Sequence, residues 1–368
     1  MVPHQRRAAA IVPRLLKWFS DNARDLPWRR TRDPYAIWVS EIMLQQTQVK
    51  TVMPYWERWM RELPNVRALA RAPLNRVHKL WEGLGYYARA RNLRRAAQVI
   101  VKQHGGQFPN EFEQVLALPG IGRYTAGAIC SIAFNQPYPV LDGNVMRVLT
   151  RLWAIAQDPR RNPANACLWA LAEELVREAE SREHRQRGQR ASHEHGCSHL
   201  NQALMELGST VCTPRGPGCR VCPVARFCQG LRLGRVDTLP NLGARPASTA
   251  RKLVAFVILR NGRLLVRQRP SSVPNGGLWE FPNIEGTDGP KSAPPAALQL
   301  LGFMPKALEP LCSIQHSIMR SRITVDVFTG TISNEQRRVP STGRWLTRRQ
   351  LSHLPFAGPD RKILHQLP

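Results

Sequence analysis

The chain has no apolar run long enough to cross a bilayer. The longest, around Leu253–Leu259, falls far short of the roughly twenty residues a spanning helix needs, which predicts a soluble protein with no membrane partner. Acid is also scarce: 26 Asp and Glu stand against 53 Lys and Arg, for a net charge of +27. Such a balance favours a polyanion, and its arginines suit bidentate phosphate contacts. The basic residues are spread along the chain rather than gathered beside one amphipathic anchor, so nucleic acid is the better match than an anionic membrane. Cysteine is limited to eight residues, and no secretory-type leader opens the sequence. Cys130, Cys167, Cys197 and Cys312 are scattered as in a reduced cytosolic protein, which argues against a disulfide framework.

The other four cysteines are not scattered. Cys212, Cys219, Cys222 and Cys228 form a C-x6-C-x2-C-x5-C array with Pro- and Gly-containing links. Four thiolates within seventeen residues can converge on one centre, and either a structural zinc or a [4Fe-4S] cluster takes that ligand set. Stretch 180–196 reads as a charged, low-order surface insert, and the alternation of His193, His195, Cys197 and His199 at its end is assigned no ligand.

Period and punctuation divide the chain. Helical stripes run from Pro13 to about Gly230, including Ile37–Leu44 after an Asp33-Pro34 start signal, Leu93–Val101, Phe112–Leu118 and Ala166–Val176. A linker is predicted over 233–251. Beyond it, strands are expected over Lys252–Arg260 and Arg263–Arg269, joined at Asn261-Gly262, and over Ile323–Ile332. The resulting fold class is multidomain: an all-α, metal-bearing unit over 1–232, then a smaller α+β domain over 252–368.

Between two helical patterns lies Leu118-Pro119-Gly120-Ile121-Gly122-Arg123-Tyr124-Thr125-Ala126-Gly127. A glycine turn at a helix start leaves backbone N–H groups free for phosphate, and with Gly120 and Gly122 the segment resembles a helix-hairpin-helix, a module that grips DNA backbone without reading sequence; alone, such a turn more often only connects helices. Asp142, in Val140-Leu141-Asp142-Gly143-Asn144, follows about twenty residues later. Taken alone, Glu41 reads as an ordinary solvated helical glutamate and Asp142 as a turn or cap residue. On a helix over this region Glu41 would share a face with Leu44, Gln45 and Gln48.

The order of helix-hairpin-helix, aspartate and cysteine array resembles the endonuclease III superfamily of base-excision glycosylases. Within it, Trp38-Val39-Ser40-Glu41-Ile42-Met43-Leu44-Gln45-Gln46-Thr47-Gln48-Val49 and Gly83-Leu84-Gly85-Tyr86-Tyr87-Ala88-Arg89-Ala90-Arg91-Asn92-Leu93 resemble signatures of the MutY adenine DNA glycosylases. The resemblance covers nearly the whole chain. It implies a [4Fe-4S] cluster on Cys212, Cys219, Cys222 and Cys228, and a monomeric, monofunctional enzyme of the bacterial cytoplasm, active at the nucleoid. Its implied partner is double-stranded DNA in which adenine is mispaired with 8-oxoguanine or guanine.

The resemblance also implies roles for particular residues. Glu41 protonates adenine, and Asp142 stabilises the sugar cation, with Tyr124 and Asn144 beside it. Arg29, Leu44 and Gln202 line the adenine pocket, while Gln46 and Tyr86 enter the duplex and Tyr87 and Trp81 belong to the core. Where strand-cutting relatives carry a lysine in the hairpin, this chain has Tyr124, which cannot form a Schiff base.

Gly276-Gly277-Leu278-Trp279-Glu280-Phe281-Pro282 resembles a Nudix-like segment. Residues 284–302 offer only Glu285 and Asp288 as acids, too few for a pyrophosphatase helix, so the domain is expected to recognise the lesion rather than hydrolyse. A lesion-contacting Phe-Ser-His turn of many relatives is replaced here by Ile318-Met319-Arg320.

Overall fold

The computed structural model describes residues 3–186, 195–243, 248–270, 272–273, 275–286, 292–318, 320–332 and 343–367. The chain forms two compact units, Met1–Ala70 with Arg95–Arg245, and Arg71–Arg94 with Pro246–Pro368. Sequence pattern places 71–94 in the helical domain; packing groups it with the C-terminal unit.

In chain order the helices up to the cysteine loop are α1 (Pro3–Asn22), α2 (Pro34–Leu44), α3 (Val49–Glu62), α4 (Val66–Arg71), α5 (Leu74–Trp81), α6 (Ala88–Gln103), α7 (Phe112–Leu116), α8 (Arg123–Phe134), α9 (Gly143–Trp153), α10 (Ala164–Gln186) and α11 (Gly196–Thr210), with α12 (Gln229–Arg232) at the end of the loop. The start signal at Asp33-Pro34 acts as expected: the Asp33 carboxylate accepts the Tyr35 N–H at 3.0 Å, and Pro34 takes the first helical position. At the centre, α11 packs against α1, α8, α9 and α10. Ile11, Leu15, Val148, Leu149, Leu168, Leu175, Leu200 and Leu204 form a dry core there.

Two expectations need correction. Residues 180–186, expected in a surface insert, continue α10, because Glu, Arg and Gln favour helix even without an apolar stripe. Of the His/Cys alternation, His193 lies outside the described residues, and Cys197 is buried with its thiol toward the Val176 carbonyl. The first half of the linker is ordered structure: Leu239 is buried, and its carbonyl accepts the Arg151 guanidinium at 2.9 Å.

The C-terminal strands are β1 (Thr249–Arg260), β2 (Arg263–Gln268), β3 (Trp279–Glu280), β4 (Asn283–Glu285), β5 (Lys306–Ile318), β6 (Ser321–Thr331) and β7 (Gly343–Thr347), with α13 (Ala293–Leu301), α14 (Arg348–Ser352) and α15 (Gly358–Gln366). The sheet order is β3-β2-β1-β6-β5, with β4 beside β1 and β7 beside β2, and β1 runs parallel to β6. The Asn261-Gly262 hairpin forms as read, with both residues at positive φ (49° and 69°) and Arg260 paired with Arg263. The run 253–259 is apolar throughout because both faces are covered. Val254, Phe256 and Ile258 pack under α13, while Ala255 and Val257 face Leu351 and Ile363 on α14 and α15. Strand β5 escapes a sequence reading because Pro310 and two register shifts break its alternation at the sheet edge.

Backbone approaches fix some glycines. A Cβ on Gly127, in α8, would lie 2.3 Å from the Pro139 carbonyl oxygen, whereas one on Gly122 would meet nothing within 4 Å. Gly127→Ala is therefore expected to destabilise by about 1–3 kcal/mol and Gly122→Ala by under about 0.5 kcal/mol, read as unfolding midpoints of the helical unit. Equal effects would contradict the packing of α8.

Candidate active site

Glu41 occupies the last full turn of α2 and is only 6% exposed. It lines a cavity of about 500 Å³ with Tyr124, Asp142, Asn144, Gln202 and Glu206, a volume in the range of small-molecule sites. The helix ends at Leu44, so Gln45 and Gln48 do not share the face of Glu41 as the spacing predicts. Gln45 reaches the cavity nonetheless, with its amide 3.4 Å from the Thr125 hydroxyl.

The electrostatics of Glu41 follow from this placement. Burial pushes its carboxyl up to about 7, and the nearby Asp142 charge adds to the rise. The Tyr124 hydroxyl, donating to Glu41 Oε2 at 2.8 Å, works in the opposite direction. Tyr124 itself is held well above the usual phenol range, first by burial and then by the two carboxylates. It is a permanent donor at neutral pH.

Asp142 is held differently. It caps α9, with Oδ1 accepting the Val145 N–H at 2.7 Å and Oδ2 accepting the Asn144 amide at 2.9 Å. Burial raises its carboxyl, and these bonds oppose the rise. The helix N-terminus favours its charged form. Asn144 is fixed in turn by Arg147, whose guanidinium donates to Asn144 Oδ1 at 2.8 Å, to the Gly208 carbonyl at 2.7 Å and to the Cys212 carbonyl at 2.8 Å. A continuous hydrogen-bonded path thus joins Asp142 to the first cysteine of the array. Gly208 has to be glycine, since a Cβ there would lie 2.7 Å from the Asn144 Cβ.

The far wall is a charge network that sequence reasoning missed. Glu206, 1% exposed, accepts Arg24 Nε at 2.6 Å and Arg29 at 2.9 Å. Burial alone would raise its carboxyl, but the two arginines outweigh it and bring it down to about 2. Arg29 also donates to Gln202 Oε1 at 3.1 Å, and Gln202 donates to Ser198 at 3.2 Å. The only sequence signal was a lone acid four residues after Gln202 in an otherwise apolar stretch of α11.

The structure brings Glu41, Asp142, Tyr124, Asn144, Arg29, Leu44, Gln46 and Gln202 to one cavity. Gly120 and Gly122 do not line it. They shape the exposed turn that starts α8, whose second residue is Tyr124; Gly120 takes φ +80°. Gln46 is exposed in a left-handed conformation, φ 57°. Tyr86, in the C-terminal unit, is 45% exposed and also left-handed, φ 46°. Non-glycine residues held there store strain, a pattern common at functional loops.

Cys212, Cys219, Cys222 and Cys228 line a second, small cavity whose wall holds no imidazole or carboxylate. Burial pushes the Cys222 thiol up to about 11, and a bound cation would favour its thiolate. Among the described residues, no group of three or more His, Cys, Asp or Glu side chains is placed to hold a metal ion. By its chemistry the all-thiol donor set is compatible with an iron–sulfur cluster, as it is with zinc.

In the C-terminal unit, Glu285 is paired with Arg251 at 2.8 Å, and α13 carries no acid. Asp288 and Met319 lie outside the described residues. Ile318 pairs with Ser321 across the β5–β6 turn.

Residues 39–174 match the model of the HhH-GPD superfamily of base excision DNA repair proteins, and residues 254–366 match that of the NUDIX domain. The adenine DNA glycosylase of Mus musculus is 35% identical over 407 residues, covering 95% of this chain and 76% of that one. That of Homo sapiens is 35% identical over 410 residues, covering 95% and 72%. A thermostable thymine-DNA glycosylase of known structure is 27% identical with a TM-score of 0.53, over 62% of this chain and 98% of that one. No described helix is long and apolar enough to cross a membrane. With relatives of 35% identity aligned over 95% of its length, the chain belongs to the adenine DNA glycosylase family of base excision repair N-glycosylases.

Proposed function

We propose that this enzyme hydrolyses the N-glycosidic bond of adenine mispaired with 8-oxoguanine or guanine in double-stranded DNA, as a monomer and without cutting the strand. The observation that carries the reading is the buried carboxyl of Glu41, poised near neutrality inside a base-sized cavity and held by Tyr124.

Cleavage of the bond leaves an electron pair on adenine and a cationic sugar, so the site needs an acid and an anion. Glu41 gives its proton to a ring nitrogen of adenine as the base departs. The Asp142 carboxylate, whose charge is supported by α9, Asn144 and the Val145 N–H against the effect of burial, stabilises or briefly captures the sugar cation. Water then adds to the sugar, and Glu41, now a carboxylate, takes its proton. Arg29, Leu44 and Gln202 hold the extruded base, and Gln46 and Tyr86 fill the space it leaves in the duplex, Tyr86 beside the opposing base. The hairpin at Gly120 and Gly122 grips the backbone. Cys212, Cys219, Cys222 and Cys228 would hold a [4Fe-4S] cluster, which supplies folding energy to the loop. The domain after the linker recognises the lesion.

Purified protein incubated with an A:8-oxoguanine duplex is expected to yield an unbroken abasic strand that breaks only on alkali. Strand cleavage without alkali would contradict Tyr124 in the place of a Schiff-base lysine.

Glu41→Gln is expected to slow single-turnover adenine release by about a hundredfold or more while mismatch binding persists. A near-native rate would remove Glu41 from proton transfer. The same variant carries a stability signature. The folded value of about 7 lies above the ordinary 4.5, so the stabilising contribution of the carboxyl is full below 4.5 and is lost as pH rises through 7. The amide has no such loss. Relative to the parent, its unfolding free energy is expected to rise by up to about 3 kcal/mol across that window.

Anaerobically prepared protein is expected to hold about four iron atoms per chain, and Cys219→Ser to lose both iron and soluble yield. One tightly held zinc with no iron would overturn the cluster.

A further inference from the structure

The loop that carries Tyr86 lies in the segment that packs with the C-terminal unit. It joins α5 to α6 and is conformationally strained: Gly83, Gly85 and Tyr86 have φ of 109°, 68° and 46°. Inside the loop, the Trp81 indole donates to the Gly85 carbonyl at 3.0 Å, and Arg89 donates to the Leu84 carbonyl at 2.9 Å while its guanidinium lies 5.7 Å from the Tyr86 ring.

Both ends of the loop are tied to one residue. Before it, Glu82 Oε1 accepts the Phe356 N–H at 2.9 Å; after it, the Tyr87 hydroxyl donates to the Phe356 carbonyl at 3.3 Å. Phe356 is 1% exposed, and its ring packs on Phe281 in the core beneath the sheet. Neighbouring contacts repeat the pattern: Lys79 donates to the Leu354 carbonyl at 3.0 Å and pairs with Glu82 at 2.8 Å, and Arg91 donates to the Gly276 carbonyl at 3.0 Å. A strained loop persists only where its surroundings over-determine it, and here those surroundings include the main chain of the C-terminal unit.

We propose that the C-terminal unit positions the Tyr86 loop through Phe356, with Glu82 and Tyr87 as positioning residues that set how the base opposite adenine is read. This rests on the reading that Tyr86 meets the opposing base. The C-terminal unit thus acts on mispair choice through the loop's geometry, in addition to any contact of its own with DNA.

The test uses the full chain. Tyr87→Phe keeps the buried ring and removes the bond to the Phe356 carbonyl; Glu82→Ala removes the bond to the Phe356 N–H together with the Lys79 pair; Glu82→Gln retains an oxygen for the Phe356 N–H. Amide hydrogen exchange over 83–87 is measured in the free protein, and single-turnover adenine release is measured opposite 8-oxoguanine, guanine and an abasic site. Tyr87→Phe and Glu82→Ala are each expected to speed loop exchange and to narrow the 8-oxoguanine-to-guanine rate ratio by about threefold to tenfold, the worth of one hydrogen bond. The abasic-opposed rate stays as in the parent, and Glu82→Gln restores the ratio. If the ratio is unchanged in Tyr87→Phe and Glu82→Ala, or all three rates fall together, the proposal is wrong. Tyr86→Ala separates the two levels: an unchanged ratio there rejects the role of Tyr86, whereas a narrowed ratio with normal Glu82 and Tyr87 variants rejects only the positioning. Should Glu82→Ala fail to fold, Tyr87→Phe decides alone.

Discussion

A carboxyl kept away from water is the constraint on which the rest of this protein depends. Glu41 sits in the apolar turn between Ser40 and Ile42, both buried, and its one short bond inside the site comes from Tyr124. Leaving a carboxyl there works against folding at neutral pH, since its charged form has lost most of its hydration. The surrounding helices offset that cost, and what they maintain is a carboxyl that burial pushes up to about 7, well above the range of a solvated glutamate. Stability given up locally in this way is a frequent trade at active sites, and it is what the proposed role of Glu41 in proton transfer calls for.

The second carboxylate shows the opposite treatment. Asp142 is also partly withdrawn from water, yet two hydrogen bonds and the start of α9 support its charge. Burial raises both acids in the cavity, but the hydrogen bonds at Asp142 oppose that rise more than the single Tyr124 bond does at Glu41, a difference that the proposed roles of proton donor and cation stabiliser would use. Arg147 extends the support of Asp142 to the Cys212 carbonyl, so order in the cysteine loop and order at the anion are physically connected. Glu206 does for Arg24 and Arg29 what α9 does for Asp142, fixing two cations at the wall of the base-sized cavity.

How much of this was legible depended on whether the signal was local. Asp33-Pro34, Asn261-Gly262 and the four cysteines each announce themselves within a few residues; the structure has the helix start and the hairpin that the first two foretell, and it lines one small cavity with the four cysteines. The acid pair was legible only through the family motifs, because a helical Glu and an Asp before Gly are ordinarily solvated. Glu206 was missed because its partners are nearly two hundred residues away in sequence. The continuation of α10 was missed because its last turns have propensity without an apolar stripe, and β5 because Pro310 and its bulges erase the alternation. The attachment of 71–94 to the C-terminal unit rests on bonds to main-chain groups of Leu354, Phe356 and Gly276, which side-chain patterns do not encode.

The central claim is the protonation state of Glu41, and it is open to direct observation. In protein labelled with carboxyl-¹³C glutamate, the resonance absent from Glu41→Gln identifies the group, and its chemical shift can be followed against pH. A midpoint near 7 is the result this account predicts. A midpoint near the ordinary 4.5 would contradict it.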